Sequence, residues 1–185
     1  MKNISKNKLG AMEMSVGTIV TIVLLMAVLV LGLVLVRSIF KSASGAVDLT
    51  DEQLKNEIGK AFGSGDKKTI IYPESRYLEI KQEERDGVGI GIRNLLTGVS
   101  GDVDFDYVIS VEESNCGNAK VLDWIELGSS ASGLSIPVGE FSSRKVIFNI
   151  PTGAPLCSVR YNVKVTYDNS KSYADDYFDI VVKAK

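Results

Sequence analysis

The chain has 185 residues, a formal net charge of −2 and 24% charged residues, a length that fits one domain. It contains no histidine, which excludes Ser-His-Asp and Cys-His catalysis, histidine acid–base chemistry and the commonest zinc and haem ligand sets. The mildly acidic balance includes no lysine or arginine stripe, so no nucleic-acid partner is expected.

An apolar segment near the N-terminus separates two parts of the chain. Three lysines within the first eight residues give a basic head, and residues 14–36 then contain no charge and no proline. A helix of that length reaches roughly 34 Å, enough to cross a hydrocarbon core about 30 Å thick. An ordinary cleaved secretory signal is disfavoured, because its apolar region is only about 7–15 residues long. The charge bias predicts a single-pass membrane protein whose short N-terminus is cytoplasmic.

Residues 6–37 resemble the start of archaeal type IV pilin-like proteins, which carry a class III signal peptide. The resemblance rests on the unbroken apolar helix and on the residues before it, Lys6, Lys8 and the segment Leu9-Gly10-Ala11-Met12-Glu13-Met14-Ser15. It implies that a prepilin peptidase removes a basic leader, 1–10, between Gly10 and Ala11. It also implies that the helix 11–41 is kept, first as a membrane anchor and later in the core of a filament.

Glu13 and the small residues of the span have two interpretations each. The resemblance implies an assembly role for Glu13, although it would be third in the mature chain, where the bacterial relatives have their glutamate fifth. The alternative is a carboxylate at the level of the lipid headgroups. Gly17, Ala27 and Gly32 would suit a close helix–helix contact, but they do not form GxxxG, which favours ordinary membrane-helix residues.

Residues 42–66 are expected to form a neck and a short amphipathic helix. Residues 42–48 are small and polar, as in a flexible neck. Thr50 and Gln53 have the spacing of a capping box. The following apolar residues recur every four positions and predict a helix over about 51–62, with an apolar stripe formed by Leu54, Ile58 and Phe62. The stripe is predicted to dock on the chain's own β domain, with a neighbouring subunit as the alternative.

Residues 67–185 are expected to form an extracellular β domain. Segments 103–111 and 159–167 alternate apolar and polar residues, as half-buried strands do. Weaker candidates lie at 68–72, 76–83, 87–93, 120–127, 133–138, 144–150 and 177–183. Short strands without intervening helices predict an antiparallel β-sandwich, immunoglobulin-like only in general architecture, with a barrel as the alternative. Together with the N-terminal helix, the fold class is α+β.

The β domain contains both cysteines, Cys116 in a turn and Cys157 at the start of a strand. Outside the cell the two are expected to form a disulfide, which closes a loop of about 40 residues and contributes roughly 4 kcal/mol. Two unrelated buried thiols are the alternative.

Three features of the β domain invite a chemical interpretation. Asp102, Asp104 and Asp106 alternate along one strand and share a face, but the loop lacks the glycine of an EF-hand, which favours a solvated strand face. Asp168 with the Asp175-Asp176 pair is interpreted in the same way. Gly87, Gly89 and Gly91 form GxGxG without a following helix, which favours a strand where two backbones or sheets approach closely over a phosphate loop. No metal site, no cofactor and no catalytic residue are expected.

The leading functional hypothesis is a structural subunit of a type IV pilus-like surface filament, active in assembly, adhesion or surface contact and not as an enzyme. Its expected partners are the membrane, other copies of the chain, a prepilin peptidase and the pilus assembly machinery. The alternative is an uncleaved single-pass surface protein with a β-sandwich binding domain. A third hypothesis, a calcium-dependent or hydrolytic ectodomain, rests only on the aspartates.

Overall fold

The computed structural model describes residues 7–41, 46–63, 65–98, 101–168 and 170–185, and leaves out the side chains of 7–16, 36–41 and 47. The chain divides into two compact units, Met1–Ser42 and Ala43–Lys185. Residues 1–6 of the predicted leader 1–10 and residues 42–45 of the predicted neck therefore lie outside the described residues.

The described part of the first unit is one long helix, α1 (Asn7–Lys41). Its stretch Gly17–Leu35 has a mean hydropathy of 3.0, and no residue of it is buried. The hydroxyl of Thr21 donates to the carbonyl oxygen of Gly17 over 2.8 Å, so this polar group is paired within the helix itself. By length and composition, α1 can cross a membrane.

The second unit contains a helix, two short 3₁₀ helices and, among its described residues, nine strands. The helix is α2 (Asp51–Phe62), and the 3₁₀ helices are η1 (Ala46–Asp48) and η2 (Val121–Trp124). The strands are β1 (Thr69–Tyr72), β2 (Tyr77–Lys81), β3 (Arg85–Arg93), β4 (Asp102–Ser114), β5 (Ile125–Leu127), β6 (Ser130–Pro137), β7 (Phe141–Asn149), β8 (Ser158–Tyr167) and β9 (Lys171–Lys183).

The strands form two sheets that pack face to face, so the predicted β-sandwich in an α+β chain is confirmed. Sheet A has the order β1-β3-β7-β5, and sheet B has the order β2-β9-β8-β4-β6. The expectation of a purely antiparallel sandwich is wrong in one place, because β2 runs parallel to β9, with Tyr77 opposite Asp179. The strands next to β2 in the sequence, β1 and β3, both lie in sheet A, so β2 is not joined to β9 by a hairpin. No tight turn therefore imposes an antiparallel pairing on β2 and β9.

Two strand predictions need correction. The candidate at 120–127 begins as η2, in which Val121 and Trp124 are both buried; a spacing of three suits a 3₁₀ turn, and only 125–127 is strand. The candidate at 177–183 is the second half of β9. The first half of β9 shows no continuous alternation of apolar and polar residues, because its pairing with β8 shifts register. The inward-facing positions are therefore odd-numbered at Tyr173 and even-numbered around Phe178.

The inward faces of the two sheets make the main core. Rings from both sheets meet at its centre, where Phe148 lies 5.2 Å from Tyr161 and 5.9 Å from Phe178 between ring centroids. All three side chains are fully buried. Apolar area removed from water is worth about 25 cal/mol per Å², so this aromatic cluster is a principal source of the sandwich's stability.

The predicted helix α2 is confirmed, with its capping box at Thr50 and Gln53. Gln53 N donates to Thr50 Oγ1 over 3.2 Å, and Thr50 N donates to Gln53 Oε1 over 2.9 Å. The stripe of Leu54, Ile58 and Phe62 is buried in a second, smaller core with Ile70 of β1. The helix thus docks on its own β domain, on the outer face of sheet A.

The glycines of β3 make room for this helix, as the predicted close approach requires. A Cβ at Gly89 would meet the end of the Leu54 side chain, and a Cβ at Gly91 would meet Ile58 and Phe62. Gly87 instead approaches the carbonyl oxygen of Val146 on β7. The glycine-rich strand β3 is therefore the surface on which α2 packs, and it is not a phosphate loop.

The described part of the predicted neck, 46–48, is the 3₁₀ helix η1, which packs on sheet A, and the flexibility of the neck stays a prediction. Ala46 is fully buried, and its carbonyl accepts the N–H of Leu49 over 3.3 Å. Lys145 of β7 donates from Nζ to the carbonyl oxygen of Leu49 over 2.5 Å and lies 3.5 Å from the Asp51 carboxylate. The small side chain of Ala46 thus packs against sheet A, where η1 contacts β3 and β7.

Candidate functional site

The apolar helix α1 is the first candidate site, because the large apolar side chains along its described stretch are exposed. Every large apolar side chain from Ile19 to Leu35 is 48–68% exposed. A helix that is hydrophobic on all sides is stable only when lipid or protein covers it. Nothing lies within 4 Å of the Cβ positions of Gly17 and Gly32, so either face is open to a neighbour, and their suggested helix–helix role stays a prediction.

The residues of the predicted processing site lie on the first turns of α1. Gly10, Ala11 and Glu13 belong to its helical backbone. Their side chains are outside the described residues. The cleavage position and the assembly role of Glu13 therefore stay predictions that the resemblance implies.

The two cysteines form a disulfide. Cys116 follows β4, Cys157 precedes β8, and their side chains are nearly buried. The two cysteines are 41 positions apart in the sequence, and the bridge joins the two ends of the connection between these neighbouring strands of sheet B. Such a bond persists in an oxidising compartment, which the extracytoplasmic space provides.

The aspartates of β4 share the solvent-facing side of the strand, as predicted. Asp102, Asp104 and Asp106 line a cavity of about 660 Å³, together with Asp168 and Lys171. Polar groups of the protein already engage two of these carboxylates, because Asp106 accepts the N–H of Gly133 over 2.8 Å and Asp168 pairs with Lys171 over 2.6 Å. Among the residues that the structure describes, no group of three or more acidic or cysteine side chains could hold a metal ion.

Asp176 has a different place from the one that the sequence indicated. It does not join Asp168 on a solvated face; it is buried and receives the Arg76 guanidinium, with Nη1 3.0 Å from Oδ1 and Nη2 3.1 Å from Oδ2. The Thr69 hydroxyl donates to Oδ2 over 3.1 Å, and the Tyr177 N–H donates to Oδ1 over 2.9 Å. Because Thr69 lies on sheet A and Asp176 on sheet B, this carboxylate ties the two sheets together. Sequence reasoning missed it, since no local pattern brings residues a hundred positions apart into contact.

The perturbed tyrosines of the core are structural as well. Burial raises the pKa of Tyr161, Tyr107 and Tyr173. Each hydroxyl donates to a backbone carbonyl, for Tyr161 that of Val121 over 2.8 Å and for Tyr107 that of Gly128 over 2.9 Å. These three tyrosines are neutral and buried, and their hydroxyl protons are held in hydrogen bonds to the backbone. They are therefore unsuited to act as an acid or base at a surface cleft.

Comparison with known proteins yields only distant likenesses. The sequence matches no protein-family model and no curated protein. Its fold is similar to the CsuC–CsuE chaperone–tip adhesion subunit pre-assembly complex from archaic Csu pili of Acinetobacter baumannii, with 17% identity, a TM-score of 0.38 and coverage of 63% of this chain and 57% of that one.

Two further solved structures are similar to a comparable extent. One is a family 123 glycoside hydrolase from Clostridium perfringens, with 14% identity, a TM-score of 0.34 and coverage of 59% and 22% of the two chains. The other is the alkylpurine DNA glycosylase AlkC from Pseudomonas fluorescens, with 15% identity, a TM-score of 0.33 and coverage of 61% and 29%. The chain thus spans less than two thirds of all three proteins. At these identities and TM-scores, the likenesses carry no argument about function.

Proposed function

We propose that the chain is a structural subunit of a type IV pilus-like filament at the cell surface. One observation carries the proposal: the 19-residue stretch Gly17–Leu35 is uncharged, has a mean hydropathy of 3.0 and is wholly unburied, and it belongs to a helix joined to a separate, compact β-sandwich unit. A subunit that passes from membrane to filament needs such a helix, which lipid covers first and other helices cover later. The resemblance of residues 6–37 to archaeal pilin-like proteins supports the same assignment.

The physical chemistry of α1 specifies how assembly would be driven. In lipid, the helix gains little from contact with another apolar helix, because the lipid tails are as apolar as its neighbours. In a filament surrounded by water, burial of the same surface gains about 25 cal/mol per Å². The unfavourable step is therefore extraction from the membrane, and we assign it to an energy-consuming assembly machinery.

In this proposal a prepilin peptidase cuts between Gly10 and Ala11, and the carboxylate of Glu13 lies close to the new terminal amine. The N-terminus is cytoplasmic before cutting, and the β-sandwich is extracellular. The disulfide between Cys116 and Cys157 supports this orientation, since a disulfide is rarely maintained in a reducing cytosol.

The decisive experiment is the intact mass and N-terminal sequence of the protein from native membranes and from the sheared extracellular fraction. We expect the sheared fraction to contain a chain that begins at Ala11. A Gly10→Val variant should keep its leader and remain in the membrane, whereas a Gly17→Ala variant, altered within the span where nothing is crowded, should be cut normally. A full-length chain beginning at Met1 and confined to membranes would replace the proposal with a permanently anchored surface protein.

A further inference from the structure

A cleft of about 220 Å³ crosses the outer face of sheet B, away from the cavity of the aspartates. Tyr77 of β2 lines one side, and Glu113 and Asn115 at the end of β4 line the other. Between them lie Arg160 of β8 and Asp179 of β9, which are opposite each other in the strand register. The cleft therefore spans four strands, each of which contributes a side chain.

The charged pair in the cleft is held in one geometry. Arg160 donates to both oxygens of Asp179, from Nε over 2.8 Å and from Nη2 over 2.9 Å. The same guanidinium lies 4.5 Å from the ring centroid of Tyr177. Two of the five guanidinium N–H groups are engaged by Asp179, and the side chains of Arg160 and Asp179 remain 39% and 30% exposed. The pair can therefore offer further donors and acceptors to a ligand without rearranging.

The aromatic side of the cleft is fixed in a similar way. The Tyr77 hydroxyl donates to Glu79 Oε1 over 2.8 Å, and Glu79 pairs with Lys183 over 3.3 Å. This hydrogen bond, followed by the lysine, lowers the pKa of Glu79, so the acceptor stays ionised. The Tyr77 ring nevertheless remains 41% exposed. An exposed ring whose orientation is set beforehand costs little side-chain entropy when a ligand packs on it.

The chemistry of the lining selects the class of ligand. An anion would meet the carboxylates of Asp179 and Glu113, and a cation would meet the guanidinium of Arg160. A ligand with one apolar face and several hydroxyl groups fits instead, because its face can pack on Tyr77 and its hydroxyls can both donate and accept. Asn115 adds an amide donor. Its Oδ1 accepts the Ser158 N–H over 2.7 Å, which fixes the side chain, and the two N–H groups on Nδ2 can donate to the ligand.

We propose that this cleft binds one ring of a neutral saccharide chain, stacked on Tyr77 and hydrogen-bonded by Arg160, Asp179 and Asn115. The proposal goes beyond a filament subunit, because it gives the outer face of sheet B a ligand. It holds equally for a chain that stays anchored in the membrane.

The test uses the full-length protein in lipid nanodiscs that are free of glycolipids and prepared without glycosidic detergents. These are applied to an array of immobilised neutral and acidic oligosaccharides, and each hit is titrated at low and high salt. We expect neutral saccharides to bind with an affinity that salt leaves unchanged, since no charge pairing is involved. Tyr77→Ala should lower the association constant about tenfold, as loss of an exposed aromatic anchor does at other interfaces.

Three further variants separate binding from folding. Tyr77→Phe keeps the ring and should retain most of the affinity, and Arg160→Lys keeps the charge but loses the paired donors and should bind weakly. Leu127→Ala is the matched control, because Leu127 is 57% exposed on the other sheet and should bind as the wild type does.

Three results would overturn the proposal: no neutral saccharide bound at millimolar concentration, equal binding by Tyr77→Ala and wild type, or salt-sensitive binding to acidic saccharides only. The last result would indicate a charged partner on this face.

Discussion

Adding a single methyl group to β3 beneath α2 tests whether the helix packs directly on that strand. In Gly91→Ala, the new Cβ would lie 2.8 Å from Phe62 Cε2 and closer still to Ile58 Cγ2, nearer than carbon atoms approach in proteins. Ile58 is fully buried and branched at Cβ, so its methyl cannot swing aside without moving the backbone. The helix must therefore shift away from β3.

The magnitude follows from two opposing effects. Overpacking a well-packed core costs about 1–3 kcal/mol. Replacing glycine by alanine stabilises by about 0.4–1 kcal/mol through the unfolded chain. We expect Gly91→Ala to lower the free energy of unfolding by about 1–2 kcal/mol. Adding Ile58→Ala removes the crowded methyl, so the double variant should be about 1 kcal/mol more stable than the sum of the single effects.

The assay is urea unfolding of the full chain in micelles, followed by tryptophan fluorescence. Trp124 is the single tryptophan of the sequence and is buried in the β-sandwich unit, so α1 adds no tryptophan signal. Gly65→Ala is the control, because Gly65 is exposed and a Cβ there has no neighbour within 4 Å. If Gly91→Ala unfolds at the same urea concentration as Gly65→Ala, or if its effect adds simply to that of Ile58→Ala, α2 does not lie on β3.

Three other predictions use the same urea assay. Asp176→Asn should cost roughly 2 kcal/mol, less than a fully buried pair would, because Arg76 stays 40% exposed and can be hydrated; an unchanged midpoint would mean that the tie between the sheets is dispensable. Removing the disulfide by Cys116→Ser with Cys157→Ser should cost about 4 kcal/mol, and the reduced wild type should match this double variant if loop closure is the cause. Burial raises the pKa of Tyr161 above its ordinary value of 10.0, so the native state holds this proton more tightly than the unfolded chain does. The contribution of Tyr161 to the free energy of unfolding is complete below about pH 10 and is lost as the pH rises further. In Tyr161→Phe, stability should therefore decline less steeply above pH 10. An equally steep decline in the variant would show that other groups cause it.

Local signals in the sequence were sufficient for the elements whose stability is local. Thr50 and Gln53 satisfy each other's backbone N–H groups, so their spacing alone marks the start of α2. Strands β4 and β8 bury one face each along their central residues, and the alternation of apolar residues there predicts both strands. The same alternation placed the β4 aspartates on one face.

The remaining features depend on partners that are distant in the chain. The parallel pairing of β2 with β9, the buried Arg76–Asp176 pair and the cleft between Tyr77 and Arg160 join residues about a hundred positions apart. The burial of Ala46 could not be predicted for a related reason, since small residues suit both a flexible linker and a tightly packed segment. Burial of Ala46 depends on the surface beneath it, which lies on β3 and β7.

The packing of η1 and α2 on the outer face of sheet A also affects how the second unit responds to tension along the chain. A pull transmitted along the chain from α1 reaches the described part of the second unit at Ala46. From there it meets the Lys145–Leu49 hydrogen bond and the apolar stripe of α2 before it reaches β1. These contacts lie on the outside of sheet A, whereas the sandwich core and the disulfide lie further along the chain. Under tension the segment from Ala46 to Phe62 would peel away first and lengthen the chain. We therefore expect this segment to detach from sheet A at a lower force than the one that unfolds the sandwich.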